Sequence, residues 1–76
     1  MAREVAIRGD TIRLGQLLKL AGVVGAGGEL KAFLAEQPVL VNGEPEARRG
    51  RQLHAGDTVV VAGDELHLVP AQEPMR

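Results

Sequence analysis

Val39-Leu40-Val41-Asn42-Gly43, continuing through Glu44 to Asp57, is the stretch on which the fold turns. Asn-Gly between alternating apolar residues is the strongest short-range hairpin signal, because both positions of the tight turn favour positive φ. Three arginines follow within four residues, Arg48, Arg49 and Arg51, and Leu53-His54-Ala55-Gly56-Asp57 then turns into a second apolar run. Neighbouring guanidiniums repel one another and gain nothing by burial, so packing alone does not account for the cluster. Their forked N–H donors match phosphate oxygens, which makes an anionic polymer a natural partner. Taken alone, the cluster is equally consistent with a solvated arginine-rich loop.

Downstream, Thr58 to Ala62 and Glu65 to Val69 read as strands joined by Gly63-Asp64, a second two-residue hairpin. Upstream, Leu14, Leu17, Leu18 and Ala21 fall at i, i+3, i+4 and i+7, the apolar stripe of a helix. Asp10 or Thr11 is placed to cap its start, and Gly22 to end it in the left-handed conformation. Val23 to Gly28 is a glycine-rich connection. A second helix over about Gly28 to Glu36 turns Leu30, Phe33 and Leu34 inward; Glu29 suits the positive end of its dipole, and Pro38 stops it. Phe33 is the only aromatic residue and is expected at the centre of the core. Val5 and Ile7 alternate within residues 3 to 8, as in a short strand packed on one face.

The expected order is strand, helix, helix, hairpin, basic loop, hairpin. That is an α+β fold with two helices packed on a small, mostly antiparallel sheet. One domain over residues 1–70 is expected, with 71–76 a disordered tail. The expected core is Leu14, Leu17, Leu18, Phe33, Leu34, Val41, Val59, Val61 and Leu68.

With 76 residues there is room for one small core, burying roughly 60% of the unfolded surface. An apolar content of 45% suits a globular chain, and the absence of cysteine removes disulfides and thiolate metal sites. Apolar runs such as Val59 to Ala62 are far too short to span a membrane. The amino-terminal residues lack the apolar segment of a secretion signal, so a cytoplasmic location is expected. The net charge of −1 is not that of a generic nucleic-acid binder. Residues 47 to 56 nevertheless carry three positive charges and no acid, and screening lets such a local patch coexist with a neutral total.

Catalytic inventory is thin. The sequence has no Ser, Cys, Tyr or Trp, and only two threonines and two histidines. His54 lies in a turn and His67 points away from Leu66 and Leu68, so the two are not expected to share a site. The glycines at 22, 25, 27 and 28 do not form a phosphate loop: the spacing is wrong and no Lys-Ser/Thr follows. Flexibility in a helix–helix turn is their simpler role. No enzyme activity, cofactor, metal site or small-molecule substrate is expected.

Thr11 to Val61 resembles the S-four RNA-binding domain, the α-L motif module. The matching elements are Ile12-Arg13-Leu14 opening the first helix, Leu17 to Gly22, Gly27-Gly28-Glu29-Leu30-Lys31 opening the second helix, Val39 to Gly43, and Gly56-Asp57 before a strand. Leu14 to Gly22, the Gly-Gly-Glu and Arg48-Arg49-Gly50-Arg51 are similar to the small stand-alone, YbcJ-like branch of that family. The resemblance implies that both helices and the loop after the hairpin form one RNA-facing surface, which grips structured RNA by shape and backbone. Ribosomal or transfer RNA, and ribosomal particles, are the implied partners. Carried over by position, the implied RNA-contacting residues are Arg13, Lys19, Lys31, Asn42, Arg48, Arg49 and Arg51. Gly27-Gly28 stand where many larger members carry two arginines, and Gln37-Pro38 where a glycine is usual. With no aromatic to spare, base stacking of the kind single-strand binders use is not expected.

Two other classes compete. A ubiquitin-like sulfur carrier shares a Val-Asn-Gly-Glu hairpin and a Gly-Asp turn, but its chemistry needs a terminal Gly-Gly, and this chain reads Glu73-Pro74-Met75-Arg76. A protein-interaction adaptor of the same fold, without RNA binding, fits the slight net acidity.

Overall fold

The computed structural model describes residues 2–25 and 29–71. Its elements in chain order are β1 (Ala2–Ile7), β2 (Thr11–Arg13), α1 (Leu14–Leu20), α2 (Glu29–Glu36), β3 (Val39–Val41), β4 (Glu44–Pro45), β5 (Gln52–His54), β6 (Thr58–Val61) and β7 (Asp64–Pro70). Two helices lie on a mixed five-stranded sheet of order β1-β7-β6-β3-β4, and β2 and β5 form a separate two-stranded ladder. All neighbours in the larger sheet are antiparallel except β1 and β7, which run parallel from Ala2↔Glu65 to Ile7↔Pro70. The first strand therefore lies beside the last, and everything between them crosses over.

Alternation sets the buried face of the sheet. Val5 and Ile7 of β1, Val39 and Val41 of β3, Val59 and Val61 of β6, and Leu66 and Leu68 of β7 all point into one core. Leu14, Leu17 and Leu18 of α1 are fully buried against them, joined by Leu30 of α2 and Leu53 of β5. Burying each such side chain contributes about 1.5–3 kcal/mol, so these leucines and valines dominate the stability of the chain. Helix α1 closes as its sequence foretells. Gly22 takes φ +76°, its N–H bonds the Lys19 carbonyl at 3.1 Å, and the Val23 N–H reaches back to the Leu18 carbonyl at 2.9 Å. This double bond pattern satisfies carbonyls the helix end would otherwise leave open.

Three expectations need correcting. Asp10 and Thr11 do not cap α1, because Thr11, Ile12 and Arg13 pair with His54, Leu53 and Gln52 as β2. Arg13 is the N-cap, and its own N–H bonds Gln16 Oε1 at 3.2 Å. Phe33 is only half-buried and packs on the margin of the core, whose interior is filled by leucine and valine. Leu34 shares that margin. The second hairpin turns at Ala62-Gly63 rather than Gly63-Asp64, with Val61 paired to Asp64. Both central residues have positive φ, +51° and +83°, which matches the first hairpin, where Asn42 is at +51° and Gly43 at +87°. That turn type places glycine second, at the cost of a left-handed alanine of about 1–2 kcal/mol. Beyond β7, the Ala71 N–H bonds the Ile7 carbonyl at 2.9 Å. The rest of the expected tail, residues 72–76, and the Gly27-Gly28 pair lie outside the described residues.

Leu17→Ala should cost about 2–5 kcal/mol, as for a fully buried leucine. Phe33→Ala should cost less than Leu17→Ala, because part of the ring already faces water. Urea denaturation of both variants checks the order, and the reverse order contradicts this placement of the core.

Candidate nucleic-acid interface

The arginine segment is fastened to the start of α1 by main-chain bonds. The Leu14 N–H donates to the Arg51 carbonyl at 2.9 Å, and the Gly15 N–H donates to the Arg49 carbonyl at 2.9 Å. Free N–H groups at a helix start need acceptors, and here the loop supplies two of them. Gly15 sits where the pieces converge. A Cβ at this position would lie 2.7 Å from Leu30 Cδ2 and 3.4 Å from both Cβ and O of Arg49. A side chain here would force Leu30 of α2 to shift and would press on the loop at Arg49. The β2–β5 ladder holds the far end of the segment, with Leu53 fully buried beneath it.

Two of the three arginines have an acidic partner that their spacing does not advertise. Glu46 accepts from Arg48 Nε at 3.0 Å and Nη2 at 3.2 Å, and from Arg51 Nη1 at 2.7 Å. The same carboxylate accepts the backbone N–H groups of Ala47 at 3.2 Å and Arg48 at 3.0 Å. Its side chain is 7% exposed, whereas that of Arg48 is 77% exposed. An ionised carboxylate so enclosed requires partners of this kind. The Arg48 side-chain bonds first, then its backbone N–H and the Arg51 guanidinium, hold Glu46 down from the ordinary 4.5 to about 2. Glu46 thus relieves the mutual repulsion of the loop arginines and fixes its course.

The cations implied for one face divide between two grooves that meet at Gly50. The first, of about 340 Å³, is lined by Arg13, Gly15, Gln16, Lys19, Leu30, Arg49 and Gly50. The second, of about 680 Å³, is lined by Asn42, Arg48, Gly50, Arg51, Gln52, His54 and Asp57. Arg49 therefore faces α1 while Arg48 and Arg51 face the other way. Among the described residues, Arg13, Lys19, Lys31 and Arg49 form no ion pair. Lys31 is exposed on α2 and lines neither groove. Asn42 is engaged at the hairpin tip: its Nδ2 donates to Asp57 Oδ1 at 3.2 Å, and its Oδ1 accepts the Thr58 N–H at 2.9 Å. Sequence reasoning missed Gly15, Gln16 and Glu46. For Glu46 the available signal was only its place just ahead of the arginine cluster.

Among the described residues, no group of three or more His, Asp or Glu side chains is arranged to hold a metal ion. No helix among them is long and apolar enough to cross a membrane.

Two helices on a mixed sheet, with a basic loop seated on the first helix, give the chain an α+β architecture. A family model for the S4 domain matches residues 5–69, and the chain belongs to that family. It is 52% identical over 63 residues to the "Probable ribosome maturation protein RlbA" of Bacillus subtilis, covering 83% of this chain and 89% of that one. It is 38% identical over 58 residues to the "Putative RNA-binding protein YbcJ" of Escherichia coli, covering 76% of this chain and 83% of that one. No solved structure matches the chain.

Stability should register the Glu46 cluster as a function of pH. A carboxyl whose folded value is lowered contributes stability above its unfolded value, and that contribution is lost as pH falls. The parent protein should therefore weaken as pH drops from 4.5 toward about 2, and Glu46→Gln should remove this part of the dependence. Urea midpoints at stepped pH values check it; parallel curves for the two proteins contradict it.

Proposed function

We propose that this protein is a non-catalytic RNA-binding module, built on the α-L arrangement, that recognises structured RNA through its backbone phosphates. The observation that supports this best is the cleft where Arg13, Lys19 and Arg49 converge. All three are exposed, and none is neutralised by an ion pair among the described residues. Cations held ready without an internal counterion favour a polyanion, because binding releases the counterions condensed on it. Anchoring of the loop to α1 fixes where Arg49 stands before RNA arrives, which reduces the ordering cost of binding. One relative's name speaks of ribosome maturation and the other's of RNA binding, which together favour ribosomal RNA as the partner, with the cytoplasm as the proposed setting. Lys31, exposed on α2 outside the cleft, is a further candidate contact, and Arg48 and Arg51 remain bound to Glu46.

The adaptor reading has one observation in its favour: Glu46 already occupies two of the three loop arginines. Salt dependence separates the two. About three phosphate contacts give a slope of log affinity against log salt of about −2 to −3, at roughly 0.7–0.9 per contact. Arg49→Ala and Lys19→Ala should each flatten that slope by about one contact's worth. Both should leave the melting temperature nearly unchanged, since exposed charges contribute little to stability. Fluorescence anisotropy with a structured ribosomal RNA fragment across a salt series checks this. A slope unmoved by either variant contradicts the phosphate cleft, and no affinity at low salt leaves the adaptor reading in its place.

A further inference from the structure

The second groove is unlike the first, although the two share Gly50. It is an open, polar groove of about 680 Å³. Its deeper polar groups are already engaged. Asp57 accepts the Asn42 amide at 3.2 Å and the His54 backbone N–H at 2.8 Å, and Arg51 is held by Glu46 at 2.7 Å. Two groups remain uncommitted: no hydrogen bond among the described residues engages the Gln52 amide or the His54 ring. The Nδ1 of that ring is 3.9 Å from Asp57, too far for one. Arg48 completes the wall. Two of its N–H groups are fixed on Glu46, yet its side chain is 77% exposed, so the guanidinium is oriented while much of it stays open to solvent.

An oriented, open guanidinium beside an uncommitted amide and imidazole is the equipment for one nucleobase. Unpaired RNA bases stack on arginine planes as well as on aromatic rings, and their edges are read by hydrogen bonds. We infer that this groove receives a single unpaired nucleobase, stacked on Arg48 and read by Gln52 and His54, while an adjacent phosphate lies in the Arg13–Lys19–Arg49 cleft. Gly50 is the saddle between them. A Cβ there would meet no atom within 4 Å, so an RNA backbone can cross the ridge closely. Bases inside a continuous duplex cannot enter such a groove without being unstacked, which costs free energy. The partner is therefore RNA with a bulge, loop or junction nucleotide at the contact. This inference depends on the RNA binding proposed above and adds a preference to it.

Two RNA hairpins that differ only by one unpaired nucleotide in the stem separate the claims. The unmodified protein should bind the bulged hairpin roughly threefold or more tighter than the paired one, the range of a cation stacked on a ring face. Arg48→Lys keeps the charge and removes the plane, and Gln52→Ala removes a reader of the base edge. Both should bring the ratio toward one, and Gln52→Ala, at a residue outside the phosphate cleft, should leave affinity for the paired hairpin nearly unchanged. Arg49→Ala should weaken both hairpins alike and preserve the ratio. A ratio near one in the unmodified protein overturns the base site and leaves phosphate binding standing, as does a preference that survives both Arg48→Lys and Gln52→Ala. If neither hairpin binds at low salt, RNA recognition falls and the base site with it.

Discussion

Two main-chain hydrogen bonds, from Leu14 to the Arg51 carbonyl and from Gly15 to the Arg49 carbonyl, join the start of α1 to the basic segment. The convergence of Arg13, Lys19 and Arg49 follows from this junction. It satisfies N–H groups of the first turn, seats Leu53 under the loop, and leaves no room at Gly15 for a side chain. A mobile arginine loop would have to be ordered on binding; this one is ordered by folding. Because the bonds use backbone atoms, the Arg49 side chain stays available to act outward.

Electrostatics follow from the same geometry. Three guanidiniums on four residues would strain an unpartnered loop, and the enclosed carboxylate of Glu46 meets two of them. Arg49 lies on the opposite side of the ridge, with Arg13 and Lys19 and without an acidic partner among the described residues. A chain of net charge −1 can thus carry a cationic cleft, since its acids are placed elsewhere or turned inward. The division explains why the charge count alone is a poor guide to this surface.

Much of this was readable before the fold was known. Asn42-Gly43 forms its turn, the Leu14-Leu17-Leu18 stripe is fully buried, and Gly22 ends α1 in the left-handed region. These features are local, and each has one physical solution. The β2–β5 ladder was hidden because three residues show no period, and Thr11 before a leucine stripe looks like a cap. Phe33 was overrated because size alone does not set depth; the helix carries it to the margin while smaller leucines fill the interior. The candidate contact residues were found by type, but not their sorting into two grooves. That sorting depends on a carboxylate two residues from one arginine and five from another, a spacing with no helical or strand signature.

Backbone amide shifts of the isotope-labelled protein, followed as a structured ribosomal RNA fragment is added, test the central claim most directly. The largest changes should cluster at Arg13, Gly15, Gln16, Lys19, Arg49 and Gly50, the two walls of the α1–loop junction. Changes confined to the exposed edge of β1, or spread evenly over the surface, would contradict it.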